Sequence, residues 1–166
     1  MVLSTAAMVS LVHNQSLGAI CVWQFVVGYC GDKKRPTALL EDLYYVYPVV
    51  SNGRLREEIV HTNKSLWKVR EKLRNTGSIS SLLKMSELVT QMHGISSDSI
   101  ALSFLTNLIS FDWGLQGVVL ARKTMPSKLK GHLSTVEQEY LKASRQLGRF
   151  RAEMSHGEFQ IALGVK

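Results

Sequence analysis

Three prolines in 166 residues leave few points at which a helix must stop, which disfavours a loop-rich all-β fold. Only two cysteines occur, Cys21 and Cys30, nine apart in an apolar run, and they match no zinc or redox spacing. Buried free thiols, suited to a reducing cytoplasm, are the expectation. Long hydrophobic runs are missing too. The stretch from Leu17 to Cys30 is too short to span a bilayer and contains Gln24 and Gly28. Residues 2–12 are apolar, but no Lys or Arg precedes them as in a secretory signal. No membrane association is expected. Repeats and low-complexity segments are absent. A hydrophobic fraction of 45% against 20% charged residues suffices for a core, so a single domain over 1–166 is expected, with 1–13 as an N-terminal segment.

Catalytic constellations are equally scarce. His13, His61, His93, His132 and His156 are scattered without zinc-ligand spacing, and the glycines stand singly rather than in a phosphate-cradling loop. Glu41 with Asp42, and Glu57 with Glu58, are immediate neighbours that point apart on a helix, and Glu137 with Glu139 are no better placed. "HGE" at 156–158 reads as a loop. A nuclease needs several acids converging on a metal. The expectation is a protein that is not an enzyme, with no cofactor and no metal.

What the sequence does hold is helix. Residues 14–30 are apolar nearly all round, with Asn14 or Ser16 as N-cap, and suit the middle of a core or a core–partner boundary. "TALLEDLYYVY" at 37–47 is expected to start at Thr37 and stop at Pro48. From Arg54 a helical period places Leu55, Ile59, Leu66, Val69 and Leu73 on one face and Lys64, Lys68 and Lys72 on the other, with a break available at "HTN", 61–63. A helix over 78–93 ended by Gly94, the turn "GISS", and a helix carrying Ile100, Ala101, Phe104, Leu105 and Leu108 on one side form a helix-turn-helix pattern. A hairpin over 112–122 would then be its wing. A final helix over about 134–154 carries Val136, Tyr140, Ala143, Leu147, Phe150 and Met154 as an apolar stripe, opposite Lys142, Arg145 and Arg149. The chain closes with an apolar segment containing Phe159, Ile161 and Leu163, read as a clasp that returns to the 14–30 helix or to a partner. The fold class is therefore mainly α: a compact helical arrangement with a winged-helix-like segment and one short β-hairpin.

The net charge is +7, with a pI near 9.6. It is concentrated: eight Lys/Arg against three Glu from Arg54 to Lys84, and eight against two from Arg122 to Arg151. Such clustering fits either a solvated surface or a polyanion partner.

Two stretches carry a family resemblance, "NQSLGAICVWQFVVGY" at 14–29 and "ASRQLGRFRAEMSHGEFQIALGVK" at 143–166. Together they resemble the small middle component of bacterial three-component ABC systems, the group that includes Lamassu anti-phage operons. Members look like Asn-Pro-x-Leu followed by an aromatic-rich helix ending Gly-Tyr, and close on Leu-Gly-Arg-Trp/Phe, a break, and an apolar segment finishing Leu-Gly-Val. Gln15 departs from the family's Pro, and the Phe150-Arg151 pair is more basic than the pattern. The resemblance covers about 14–166. It implies a cytoplasmic accessory subunit whose partners are an SMC-like ABC ATPase dimer and an effector nuclease, in a complex that senses foreign or abnormal DNA. Candidate DNA contacts are Lys64, Lys68, Lys72, Lys142, Arg145 and Arg149; candidate partner contacts are Trp23, Phe25, Tyr29, Phe150, Phe159 and Ile161. The alternative is a free-standing winged-helix DNA-binding regulator. Against it, residues 97–109 contain no Lys or Arg with which to read bases.

Overall fold

The computed structural model describes residues 5–31 and 35–165, with side chains from 14–31, 35–127 and 131–165. Residues 32–34 of the expected polar loop and 2–4 of the apolar 2–12 segment lie outside the described residues, and of 5–12 only the backbone is described. The elements in chain order are α1 (Thr5–Cys30), α2 (Leu40–Ser51), α3 (Gly53–His61), α4 (Leu66–Asn75), α5 (Ser80–Leu83), α6 (Met85–Gln91), α7 (His93–Leu105), β1 (Ile109–Asp112), β2 (Gly117–Leu120), α8 (Ser127–His132), α9 (Thr135–Ala152) and α10 (His156–Leu163). The fold is mainly α with one antiparallel hairpin, as expected. Among the described residues no helix is long and apolar enough to cross a membrane.

Helix α1 is the axis of the core. It packs most extensively on α9 and α7, and also on α2 and β2, which is why its apolar residues run all round. Three small residues permit the close crossings. A Cβ on Gly28 would lie 2.0 Å from the Arg145 carbonyl oxygen, one on Gly148 would lie 2.1 Å from that of Phe25, and one on Gly18 would meet Ser99 Oγ at 2.1 Å. At the last crossing Ser103 Oγ donates to the carbonyls of Ala19 (2.9 Å) and Ser99 (2.8 Å), so the hydroxyl is satisfied where it is buried. The face of α7 turned inward is thus Ser96, Ser99, Ile100 and Ser103. Ala101 and Leu105, expected to share the apolar side, are exposed. Close backbone approach selects small side chains over large apolar ones.

Several boundaries differ from the expectation. Helix α1 begins at Thr5, so Asn14 and Ser16 are interior rather than caps. Helix α2 does not stop at Pro48 but runs on to Ser51. Proline in a helix interior costs ~3 kcal/mol. The next two residues, Val49 and Val50, are fully buried, and each such side chain returns about 1.5–3 kcal/mol. Thr37 does not cap α2. Its neighbour Ala38 exchanges both backbone hydrogen bonds with Val118 (2.9 and 2.8 Å), lacing the α2 entry to the hairpin. The hairpin pairs Ile109 with Leu120 and Asp112 with Gly117, three residues earlier at its start than expected. Gly94 does not end a helix; α6 and α7 meet at Met92 instead, and "GISS" lies inside α7. The order of helix, helix and hairpin stands, with the junction moved. Helix α8 falls where a loop was expected.

The break near "HTN" is present. Leu55, Ile59, Leu66, Val69 and Leu73 are all buried from α3 and α4, and Ser65 rather than Asn63 caps α4 by accepting from the Lys68 N–H. Helix α9 starts on a capping box formed by Ser134 and Glu137, and α10 on one formed by Ser155 and Glu158.

Candidate functional site

The expected partner contacts move indoors. Trp23, Phe25, Tyr29, Phe150 and Phe159 are all buried within the chain, and only Ile161, 51% exposed, is open to a partner. The Trp23 indole N–H donates to the Arg122 carbonyl at 2.7 Å, tying α1 to the segment after the hairpin. The Phe25 ring lies between Tyr29 and Phe159, with centroids 6.2 and 6.4 Å away. The closing segment is therefore a clasp, as expected, but a helical one. Arg70 fastens it by donating to the carbonyls of Ile161 (2.6 Å) and Ala162 (3.2 Å).

A buried ionic cluster went unread in the sequence. Asp42 is fully buried and Arg151 is 3% exposed, and they pair at 2.8 Å. The His156 Nδ1–H donates to the other Asp42 oxygen at 2.7 Å, while its Nε2 lies 3.5 Å from Glu41. "HGE" is thus the first turn of α10, and the adjacent acids Glu41 and Asp42 both reach one imidazole. The Arg151 guanidinium also stacks over Tyr29 and Phe159 at 5.6 and 5.8 Å. Carboxylates meet both ring nitrogens of His156, so the arrangement anchors α10 and α9 to α2. A signal for it existed: Arg151 follows Leu147 by four residues, which places it on the apolar stripe and not with Arg149.

The two basic stripes, separate in sequence, are joined in space. Lys142, Arg145 and Arg149 on α9 line a depression together with Val60 and Gln146. Gln146 and Arg149 continue into a second, where Asn63, Lys64 and Glu153 join them. Asn63 and Lys64 in turn line a third, with His61, Lys68, Glu71, Lys72 and Asn75. All six expected cations thus line a basic groove made of three depressions that share residues end to end: the first two lie between α9 and the α3–α4 segment, and the third, with Lys68 and Lys72, lies on the α3–α4 segment alone. Lys64 sits in the connecting loop rather than on a helical stripe. Lys68 pairs with Glu71 at 2.6 Å, and Lys72 approaches Glu58 at 3.7 Å. Hydrogen bonding from Lys68, followed by its charge, holds the Glu71 carboxyl below its ordinary value. The two cysteines are free, as expected; burial pushes the Cys21 thiol up to about 12 and raises that of Cys30.

The family model for ABC-three component (ABC-3C) system Middle Component 3 matches residues 4–166. The chain belongs to that family. No curated protein and no solved structure matches it. The crossing of α1 and α9 accounts for the two stretches that carried the resemblance. Gly28 of "VVGY" seats against Arg145, and Gly148 of "LGRF" seats against Phe25. They are the two sides of one packed junction.

A middle component of a three-component system has other components to meet, and this one carries exposed apolar side chains that the sequence reading missed. Trp113 is 84% exposed, Leu105 80%, Leu83 71% and Leu115 55%. Trp113 and Leu115 stand in the hairpin loop. Asp112 Oδ1 accepts the Leu115 N–H at 2.9 Å, and Trp113 rests edge-on against Phe111 at 4.8 Å. Punctuating glycines and the strand-favouring Val118, Val119 and Leu120 point to a hairpin but say nothing of which loop residues face water.

Proposed function

We propose that this middle component is the non-catalytic accessory subunit of a Lamassu-type defence complex in the bacterial cytoplasm. It bridges an SMC-like ABC ATPase dimer to an effector nuclease and helps couple detection of foreign or abnormal DNA to effector release. Family membership over residues 4–166 carries this reading. The exposed Trp113 and Leu115 at the hairpin loop support it, because large apolar side chains left in water are characteristic of interaction surfaces. A bridging role needs two faces, and the groove side of α9 and the hairpin loop are chemically unlike.

The test is co-expression with the products of the neighbouring genes, purification through a tag on the ATPase, and native mass spectrometry. A defined complex containing this chain is expected, with nuclease activity that depends on the effector and persists when any single acid or histidine of this chain other than the structural Asp42 and His156 is replaced. A chain that purifies alone under all co-expression combinations would overturn the reading.

A further inference from the structure

We propose that the groove between α9 and the α3–α4 segment binds the phosphate backbone of double-stranded nucleic acid directly, through Lys142, Arg145, Arg149, Lys64, Lys68 and Lys72. This goes beyond the subunit assignment and rests on the surface of the chain alone. Lys142 to Arg149 spans about 10 Å of helix axis and Lys68 to Lys72 about 6 Å, and Lys64 fills the interval between them. Duplex phosphates on one strand rise about 3.4 Å apart, so a groove of this length faces several of them.

Most of the groove cations have no internal counter-ion, although Glu71 and Glu153 also line it. Among the described residues Lys64, Lys142, Arg145 and Arg149 form no ion pair, and all four are exposed. Lys68 pairs with the half-exposed Glu71 at 2.6 Å, a surface pair that a phosphate can compete with, and Lys72 reaches Glu58 only at 3.7 Å. Neutral amides from Asn63, Asn75 and Gln146 alternate with the cations. That mixture of Lys, Arg and amide donors is the usual company of phosphate oxygens.

Protein interfaces are depleted in lysine and centred on aromatic side chains. Here four lysines border the groove, and the aromatic ring at its edge, Phe150, is buried. Single-strand sites add exposed rings on which bases stack. The exposed Trp67 lines the adjoining depression with Arg70 and Arg74, and the one residue common to the two is Glu71, whose carboxylate repels a phosphate strand on its way to that ring. Backbone charge without stacking suits a duplex.

The test is fluorescence anisotropy of the full chain with a labelled 24-base-pair DNA duplex, its single strand and an RNA duplex of equal length, over a range of salt. Duplex binding is expected with a slope of log K against log salt of about −4 to −5, since each neutralised phosphate contributes about −0.9. The triple variant Lys142→Glu, Arg145→Glu, Arg149→Glu is expected to weaken binding at least tenfold and to flatten the slope by about 3. A milder variant, Arg145→Gln with Arg149→Gln, should flatten it by about 2. The control Lys84→Glu, Arg122→Glu, Lys123→Glu carries the same change of net charge at exposed positions that line none of the three depressions, and should bind within about threefold of the parent. Comparing the two duplexes identifies DNA or RNA as the source of the backbone. The proposal fails if the groove variants bind like the parent, if the control loses as much as they do, or if the single strand binds as tightly as the duplex. It also fails if the groove variants keep the duplex but lose a protein partner from the purified complex.

Discussion

Two arginines on α9, two residues apart, have opposite circumstances. Arg149 stands in water at the centre of the groove. Arg151 is enclosed, paired with a fully buried Asp42 and covered by Tyr29 and Phe159. Both contribute equally to the net charge of +7, but only the first contributes to the field outside the molecule. A basic composition therefore overstates the basic surface, and position relative to the apolar stripe decides which cations are structural. The tail shows the same division: Phe159 is fully buried and Ile161, two residues on, is half-exposed.

The sharpest way to break the comparison is to remove each arginine. Arg151→Met leaves Asp42 buried without its cation, and loss of one partner from such a pair costs about 3–5 kcal/mol. Arg149→Met should change stability by less than about 0.5 kcal/mol, as for surface substitutions generally. Urea unfolding of the two variants measures both; equal effects would mean that Asp42 and Arg151 do not form a structural pair. Phe159→Ala is expected to cost about 3–5 kcal/mol, and Ile161→Ala well under half of that, in the same assay. A large loss from Ile161 would point to a different seat for α10.

The glycines offer a comparison of intermediate size. Gly148→Ala places a methyl group against the Phe25 backbone, which cannot rotate away as a side chain can. Overpacking of this kind costs about 1–3 kcal/mol, and separation of α1 from α9 should appear as a lowered melting temperature. Gly157→Ala in α10 meets nothing within 4 Å, so it should stabilise by about 0.5–1 kcal/mol through helix propensity. If both alanines stabilise, the close crossing of α1 and α9 is wrong.

Much of the helical pattern was legible because burial leaves a period of 3.6 residues, and Leu55, Ile59, Leu66, Val69 and Leu73 announced α3 and α4 on that basis. Helix ends were less legible. Pro48 and Gly94 are local stop signals that packing overrode, and Thr37 is a good cap whose neighbour Ala38 is taken up by the hairpin. The separation of core from surface among aromatics was not legible. Trp23 and Trp113 are the same residue type, yet one is 1% exposed and the other 84%. The six cations were each visible in the sequence, but their alignment along one groove depends on how α9 crosses α3 and α4, which periodicity within a helix does not encode.

The smallest expected effects separate a capping carboxylate from a groove carboxylate. Ser155 donates its N–H to Glu158 at 2.7 Å and accepts the Glu158 N–H at 3.2 Å. Ser155→Ala should cost about 1 kcal/mol. The backbone N–H of Ser155, followed by its hydroxyl, holds the Glu158 carboxyl below its ordinary 4.5. Glu71 is depressed as well, but by the Lys68 ammonium. Both carboxyls are lowered on folding, so each contributes stability that is complete above pH 4.5 and disappears as pH falls through the lower folded value. Salt separates them. At 1 M the screening length shrinks to about 3 Å, which weakens an exposed ion pair but leaves a short hydrogen bond to a neutral backbone donor largely intact. Urea midpoints measured from pH 7 to pH 3 should show Glu71→Gln converging on the parent in high salt, with Glu158→Gln still distinct above pH 4.5. If the Glu158 effect vanished with salt as well, its carboxylate would owe its depression to the surrounding cations rather than to the cap, and the basic field of this surface would extend to α10.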